Sequence, residues 1–321
     1  MSGVINIKLK EGRDYYEGAI KYASDRFLSD NSNSDRIEFN FGGPDLFFQT
    51  IPGVFGADLP GRFSFFLNGY GKMYDGNLPI ASKLYPHRYW SSNFISDEKS
   101  DKFMDRLASR ENNDWHLLYK MTWELTPQKK LFLSYDASMN INQGYYMPRA
   151  FASTYFPYQY MNILDNYNTI TRDTRLINMN WTHTLSTKSF YEFTLGKFST
   201  MEHSAVQDLP WTDYQERLDL EPINYNIDNT DQDGNIQITY GDEFYDTGFA
   251  PEWYDLSSEN TRMDLDWTYH TETRHKLKTG FEHTITDIQV LDIDEPWSGS
   301  SGFGANYDII FNYTIASNSC L

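Results

Sequence analysis

The stretch that decides the fold is WHLLYKMTWEL, residues 115–125, in which every second side chain is large and apolar. These apolar positions are Trp115, Leu117, Tyr119, Met121, Trp123 and Leu125. The side chains between them are polar except for Leu118. Because successive side chains of a strand point to opposite faces, the pattern predicts a strand with one apolar and one wet face. That apolar face would contact protein in a soluble sandwich and lipid in a membrane barrel.

The composition is compatible with both environments. Of the 321 residues, 17% are aromatic and 40% are hydrophobic, and the mean hydropathy is -0.63. The sequence has no apolar run of about eighteen residues, which excludes a transmembrane helix. A spanning strand needs only ~9–11 residues, and because half of them are polar, averaged hydropathy does not reveal it.

The net charge and the cysteine content narrow the function classes. A net charge of -18 repels phosphate backbones, so we expect no nucleic-acid partner. Cys320 is the one cysteine, which excludes an internal disulfide and a cysteine-based zinc site. Met1 is followed by SGVINIKLKEG, which lacks the basic and apolar regions of a secretory signal. We therefore expect that an exported form of this protein carries further sequence before Met1.

Alternation of apolar and polar side chains recurs along most of the chain and predicts nine strands. They are placed at residues 15–27, 35–46, 61–76, 114–126, 130–143, 174–186, 189–204, 261–271 and 275–290. Helical periodicity is nearly absent, and its best candidate is one short helix at 101–109, DKFMDRLAS.

The connections between these strands fall into two classes. Tight turns are predicted at 126–129, 185–188 and 271–275, and long polar connections at 77–113, 144–173 and 205–260. Outer-membrane barrels have short turns at the periplasmic end and long loops at the extracellular end, whereas a soluble sandwich does not require its short and long connections to lie at opposite ends. The pattern predicts sequential antiparallel hairpins. The segment 47–60 is the exception, because it is long for a periplasmic turn.

The lengths of the strands also favour a membrane barrel. Trp115 and Trp123 lie eight residues apart on one face, which is roughly 20 Å along the membrane normal for a tilted strand. That distance suits two aromatic girdles around an apolar band of about 25 Å. Two core tryptophans of a sandwich are the alternative, but sandwich strands average about five or six residues and several strands here exceed ten.

The N-terminal residues 2–12, SGVINIKLKEG, resemble the last strand of the plug domain in TonB-dependent outer-membrane transporters. The matching positions are Gly3, Val4, Ile5, Asn6, Ile7, Lys10 and Gly12. The segment 15–27 follows where the first barrel strand of that family begins. Residues 61–76 and 274–283 also look like barrel strands of this family, particularly of its carbohydrate-uptake-like branch. The resemblance extends to about residue 305.

The resemblance implies the end of a plug domain at residues 1–12 and part of a β-barrel at residues 13–321. The family barrel has 22 strands. Because nine is an odd number and single-chain bacterial barrels have an even one, we expect an all-β, antiparallel up-and-down transmembrane barrel that is incomplete. The expected function is that of a fragment of a transporter importing a scarce nutrient, such as a siderophore, oligosaccharide, vitamin or peptide.

The resemblance also implies a location and a set of partners. The location is the outer membrane of a Gram-negative cell, and no enzymatic activity is expected. The implied partners are membrane lipid or lipopolysaccharide, a small-molecule or oligosaccharide substrate, a surface lipoprotein and, in the full-length protein only, TonB.

The acidic connection 205–260 contains a candidate calcium (Ca) loop. Its candidate ligands are Asn229, Asp231, Asp233 and Glu243. Gly234 fits the tight turn of the calcium-loop pattern, but Tyr240 stands where the pattern has glutamate, so Asp242 or Glu243 would have to replace it. A solvated acidic loop is the alternative interpretation.

Aromatic side chains crowd the connection 144–173. The candidate ligand-facing rings are Tyr145, Tyr146, Tyr155 and Tyr158. Flat rings on an extracellular loop can stack on sugar faces or on an aromatic siderophore. An interface belt or packing within the loop is the alternative.

The sequence contains no G-x-S-x-G, H-E-x-x-H, P-loop or Rossmann motif. Asp264 and Asp266 face one way, ~6.6 Å apart along a strand, which is compatible with a carboxylate pair but is more typical of a wet barrel wall. Two other functions remain open on sequence grounds: a small self-contained outer-membrane barrel or adhesin, and a soluble β-rich carbohydrate-binding module.

Overall fold

The computed structural model describes most of the nine predicted strands and part of their connections. The described residues are 11–25, 27–28, 33–44, 59–75, 112–143, 157–160, 162–220, 224–230, 236–239, 244–271, 275–301, 307–308 and 313–320. The predicted helix 101–109 and nearly all of the connection 47–60 lie outside them. Among the described residues, no helix is both long enough and apolar enough to cross a membrane.

Nine strands form the body of one antiparallel sheet. They are β1 (Glu17–Ser24), β2 (Asp35–Pro44), β3 (Arg62–Tyr74), β4 (Asn112–Thr126), β5 (Lys129–Gln143), β6 (Thr169–Ser186), β7 (Ser189–Ala205), β10 (Glu252–His270) and β11 (Lys276–Asp294). Four shorter strands are β8 (Asn224–Thr230), β9 (Ile236–Thr239), β12 (Tyr307–Asp308) and β13 (Tyr313–Cys320). The short strands β8 and β9 form a separate hairpin.

Each long strand pairs with its neighbour in the chain, apart from the insertion of β8 and β9 between β7 and β10. The order is therefore up-and-down, as predicted. Both β12 and β13 pair with the outer edge of β11. Within the described residues β1 pairs with β2 alone, so the described sheet is open and does not close into a barrel.

All nine predicted strands are confirmed, and three of them extend at least four residues beyond a predicted end. β6 begins at Thr169, β10 begins at Glu252, and β11 continues to Asp294. The added part of β10, EWYDLSSEN, carries polar side chains on both faces and therefore shows little alternation. Pairing with β7 on one side and β11 on the other holds it extended. The predicted connections 144–173 and 205–260 are correspondingly shorter.

Two tight turns share one local design. The β4–β5 turn begins at Thr126, whose hydroxyl accepts a hydrogen bond from the backbone N–H of Gln128 at 3.3 Å. The β6–β7 turn begins at Ser186, whose hydroxyl accepts one from the N–H of Lys188 at 3.2 Å. Side-chain hydroxyls of this kind replace a backbone acceptor in a tight turn. Both turns were predicted from the short spacing between their flanking strands, and the hydroxyl contacts are an additional finding of the structure.

A packed cluster of buried apolar side chains lies where the long connections join β6, β7, β10 and β11. We call it the loop cluster, and its buried members are Tyr160, Tyr167, Ala205, Val206, Tyr214, Ala250, Trp253 and Ile293. Short 3-10 turns at Leu164–Asn166 and Trp211–Asp213 bring chain from two different connections onto it. One end of the sheet is therefore covered by a small core of its own.

Candidate functional site: the two faces of the sheet

One face of the sheet carries a continuous apolar surface over part of its area. Residues directly opposite each other in an antiparallel pair share a face. Along one row that crosses five strands, the paired side chains are Met121, Leu133, Met179, Leu195 and Met263. The alternation predicted for single strands therefore lies in register across neighbouring strands.

Much of this apolar face is open to its surroundings. Ile20 is 80% exposed and Ile177 is 57% exposed. Other exposed side chains of this face are Phe41, Leu117, Leu133, Leu195, Leu265, Trp267, Leu277 and Phe281. Because large contiguous apolar patches are rare on soluble monomers, this face marks a contact surface.

The apolar surface crosses the strands obliquely. On β4 it continues six residues beyond Met121, as far as Trp115. On β7 the charged Lys197 follows Leu195 on this face, although Leu195 lies in the same row as Met121. On β10 the apolar run likewise stops at Met263. The limit of the apolar surface therefore shifts by about six residues between β4 and β10.

The size of this shift agrees with strands tilted against a flat apolar layer. For a tilt of ~40°, a spacing of ~4.8 Å and a rise of ~3.3 Å per residue, the limit moves by about 1.2 residues per strand. The steps from β4 to β10 run through β5, β6 and β7. At about 1.2 residues per strand, these steps together predict a shift of about five residues, which is close to the observed shift.

Tryptophans line the apolar surface near the tight turns, and their polar atoms are satisfied. Three indole N–H groups donate hydrogen bonds: Trp123 to the Pro60 carbonyl at 2.9 Å, Trp181 to the Tyr191 hydroxyl at 3.3 Å and Trp267 to the Ser189 hydroxyl at 2.9 Å. An apolar ring with a satisfied polar edge is typical of side chains at a boundary between apolar and aqueous surroundings.

The opposite face is polar. Cross-strand hydrogen bonds join Asn180 Nδ2 to Thr194 Oγ1 at 2.9 Å and Asn260 Nδ2 to Thr286 Oγ1 at 2.8 Å. Leu118, the exception in the sequence pattern, lies on this face and is buried. Over the described strands, the polar face therefore contains local apolar contacts but no continuous apolar surface.

The carboxylates of Asp264 and Asp266 line a small polar cavity of about 210 Å³ on this face. Arg262 Nε lies 2.8 Å from Asp264 Oδ2, and Lys278 Nζ lies 3.2 Å from Asp266 Oδ2. Each carboxylate thus has a cation beside it. Asp264 and Asp266 therefore belong to an ion-pair network on the polar face.

Further toward the long connections, the polar face presents an aromatic and hydrogen-bonding surface. The rings of Tyr70 and His116 stack with their centroids 5.5 Å apart. His116 Nε2 lies 3.0 Å from Asp136 Oδ1. On β6, Arg172 Nε donates to Glu202 Oε2 of the neighbouring strand β7 at 2.7 Å. A polar ligand at this end of the sheet would meet ring faces, a histidine and paired charges.

The N-terminal segment contacts the polar face at the end with the tight turns. Glu11 lies beside Lys120 and Lys130, and Asp14 beside Arg62. These contacts join chain that precedes β1 to β3, β4 and β5. The sequence did not predict them, because oppositely charged residues 48 to 119 positions apart carry no local signal.

Most of the predicted site residues lie outside the described residues. These are Asp231, Asp233 and Glu243 of the calcium loop and the aromatic residues Tyr145, Tyr146 and Tyr155. Asn229 lies in β8, and Tyr158 in a 3-10 turn at Pro157–Tyr160, each with the backbone alone described. In the described part of the chain, no group of three histidine, cysteine or acidic side chains is arranged to hold a metal ion. The calcium loop and the aromatic ligand surface remain predictions.

The loop cluster was not predicted, although its aromatic residues are visible in the sequence. Trp253 Nε1 donates to the Leu209 carbonyl at 3.1 Å, and His203 lies edge-on to the Trp253 ring. His203 is buried, with Nε2 3.2 Å from Asp208 Oδ1 and Nδ1 3.6 Å from Asp255 Oδ1. Aromatic residues spaced along an otherwise acidic connection were the available signal.

Comparison with protein-family models finds no match, and comparison with curated proteins finds none either.

Proposed function

We propose that the sheet is part of the wall of an outer-membrane barrel of the TonB-dependent transporter type. The apolar face contacts lipid, and the polar face lines the lumen. Further strands close the barrel in this proposal, because the open edges of a sheet cannot be satisfied by hydrocarbon.

The oblique apolar surface is the observation that carries the proposal. A second protein layer does not require the apolar limit to differ by about six residues between β4 and β10, whereas tilted strands in a flat bilayer do. The exposed isoleucines and leucines of that face and the satisfied tryptophans near the tight turns support the same orientation. In this orientation the tight turns face the periplasm and the loop cluster faces the outside.

The proposed transport function follows from this orientation and from the sequence resemblance. The imported nutrient is a small molecule or an oligosaccharide that meets the polar face near Tyr70 and His116. Lipopolysaccharide and membrane lipid contact the apolar face, and a surface lipoprotein contacts the long connections. TonB acts on the full-length protein. No catalytic step is assigned to any residue.

Spin-label accessibility tests the lipid contact. Labels are attached to Leu133→Cys, Leu195→Cys and Leu265→Cys in a Cys320→Ser background, with the protein in lipid vesicles. These three side chains lie on the exposed apolar face. We expect them to be accessible to oxygen, which partitions into lipid, and shielded from a water-soluble nickel complex.

Thr194→Cys is the matched control, because Thr194 precedes Leu195 in β7 and lies on the polar face. It should show the opposite accessibility. Labels on the three leucine positions that are shielded from both reagents would indicate a covering protein layer and a soluble module. If the lipid contact holds and the described sheet closes with no other chain segment present, the protein is a small self-contained barrel or adhesin.

A further inference from the structure

The polar face binds a segment of the same chain. Residues 11–14 precede β1 and lie against β3, β4 and β5 near the tight turns. Glu11 reaches two lysines at once: its Oε1 lies 3.4 Å from Lys120 Nζ and its Oε2 lies 2.6 Å from Lys130 Nζ. Lys120 and Lys130 lie on neighbouring strands, so one carboxylate bridges β4 and β5.

Lys120 makes this contact unusual, because its side chain is only 6% exposed. Its ammonium group also lies 4.7 Å from the centre of the Phe132 ring. A buried cation without a nearby anion is strongly unfavourable. Glu11 supplies that anion from outside the sheet.

The surrounding charges extend the contact into a network. Glu124 Oε1 lies 3.7 Å from Lys130 Nζ, and Glu124 Oε2 lies 2.6 Å from Arg62 Nη2. Arg62 also pairs with Asp14. Burial raises the pKa of Glu11, but the hydrogen bonds and positive charges of Lys130 and Lys120 outweigh burial and leave that pKa below its ordinary value. Glu11 is therefore ionised at neutral pH.

Gly12 explains how the segment comes close enough for these contacts. A Cβ atom added at Gly12 would lie 2.3 Å from the carbonyl oxygen of Phe65 and 2.8 Å from its nitrogen. Backbone atoms of a central strand cannot move aside easily. Only a residue without a side chain fits against β3 at this point.

We infer that residues 11–14 form a strap, fastened to the polar face by the Glu11 bridge and the Asp14–Arg62 pair and seated by Gly12. The strap fixes where the chain before β1 leaves the polar face. Releasing it frees residues 11–16 from the polar face while the sheet stays folded. The inference rests on these contacts and not on the proposed transport function, because it concerns the polar face alone.

Hydrogen exchange at neutral pH, read by mass spectrometry on the full folded chain, tests the strap. Glu11→Gln removes the anion, and Gly12→Ala lifts the segment by steric contact without changing charge. We expect each to accelerate amide exchange of residues 11–16 by roughly tenfold or more, since a hydrogen bond to a charged group is lost or displaced. Exchange in β4 and β5 should change little.

Gly196→Ala is the matched control. Gly196 lies on the polar face of β7, and an added Cβ there would meet its nearest atom at 3.5 Å, an ordinary contact. This variant should leave residues 11–16 as protected as in the wild type. Lys120→Met should reduce the effect of Glu11→Gln, because the buried cation that needs the anion is gone.

Unchanged exchange of residues 11–16 in Glu11→Gln and Gly12→Ala would overturn the inference. So would an equal acceleration in Gly196→Ala. A failure of the lipid-contact test would leave these results unaffected, so the strap and the proposed function are judged separately.

Discussion

At the scale of single residues, tyrosine hydroxyls satisfy polar groups inside the loop cluster. The backbone N–H of Val206 donates to the Tyr214 hydroxyl at 2.7 Å, with both residues buried. Arg217 Nη1 donates to the Tyr160 hydroxyl at 3.2 Å. Each hydroxyl attaches a connection to the cluster by a hydrogen bond that a phenylalanine ring could not make.

Tyr214→Phe should loosen the connection after β7. The substitution leaves the buried N–H of Val206 without its acceptor, which costs about 1–3 kcal/mol. We expect faster amide exchange at residues 206–214 and no change in β4 and β5. Tyr16→Phe, at a half-exposed ring, is the comparison and should have no effect on the loop. Equal behaviour of the two variants would contradict the role assigned to the Tyr214 hydroxyl.

Tyr160 should make the loop cluster sensitive to alkali. Burial raises the pKa of Tyr160 from 10.0 to about 12, and the hydrogen bond from Arg217 only partly offsets this. Because the folded pKa exceeds the unfolded one, the stabilising contribution is complete below pH 10 and is lost as the pH rises toward 12. Ultraviolet titration should show late tyrosinate ionisation whose amplitude falls by one tyrosine in Tyr160→Phe, whereas the late ionisation of Tyr214, whose pKa burial also raises, remains.

Gly248 is the residue that allows the second connection to close onto the cluster. Its φ is +89°, a left-handed conformation, and an added Cβ would lie 2.2 Å from the Glu216 carbonyl oxygen. Gly248→Ala should therefore destabilise the loop by at least ~1–3 kcal/mol. Faster proteolysis within residues 244–251 would confirm this, and unchanged proteolysis would contradict it.

At the scale of elements, the tilt of the strands decides which part of each strand touches the apolar layer. Ala137 on β5 and Ser199 on β7 lie in one row, because both face Arg175 on β6. If the apolar surface ended at the same row on every strand, Ala137 and Ser199 would lie either both inside it or both outside it. Because the limit is oblique, Ala137 lies inside the apolar surface and Ser199 lies outside it.

Spin labels at Ala137→Cys and Ser199→Cys should therefore differ. We expect the Ala137 label to be accessible from lipid and the Ser199 label from water, since about two strands of shift lie between them. Both labels lie on the same face of the sheet. A difference between them therefore cannot arise from one face being in lipid and the other in water. The same accessibility at both positions would remove the evidence for tilt.

At the scale of the whole molecule, the loop cluster and the apolar face of the sheet differ in what surrounds their side chains. The loop cluster is held by ordinary core packing, as in a soluble domain. The apolar face of the sheet is instead largely exposed over β6, β7, β10 and β11. The two regions should therefore respond separately to substitution.

Trp253→Ala tests this separation. Trp253 is buried in the loop cluster, and its truncation should cost about 3–5 kcal/mol of local stability. Proteolysis within residues 206–215 should accelerate while the circular dichroism of the sheet is retained. Leu220→Ala, at an exposed side chain of the same connection, should leave proteolysis unchanged. Loss of the sheet in Trp253→Ala would show that the two regions fold as one.

Alternation of side chains, which acts within one strand, was enough to predict the nine long strands. The lengths of the connections between them predicted the strand order and the tight turns. It failed at the first half of β10, where EWYDLSSEN is polar on both faces, because pairing with β7 and β11 keeps that segment extended. Aromatic residues in the connection 205–260 suggested no packing partner, since their contacts come from distant segments.

The sequence by itself determined that the chain makes long amphipathic strands joined as hairpins, because a period of two is a local property. Only the tertiary structure decided the register that aligns the apolar side chains obliquely across strands. It also decided the bridge from Glu11 to Lys120 and Lys130, whose partners are more than a hundred residues apart in the chain. Such contacts depend on which strands become neighbours, and no short stretch of sequence carries that information.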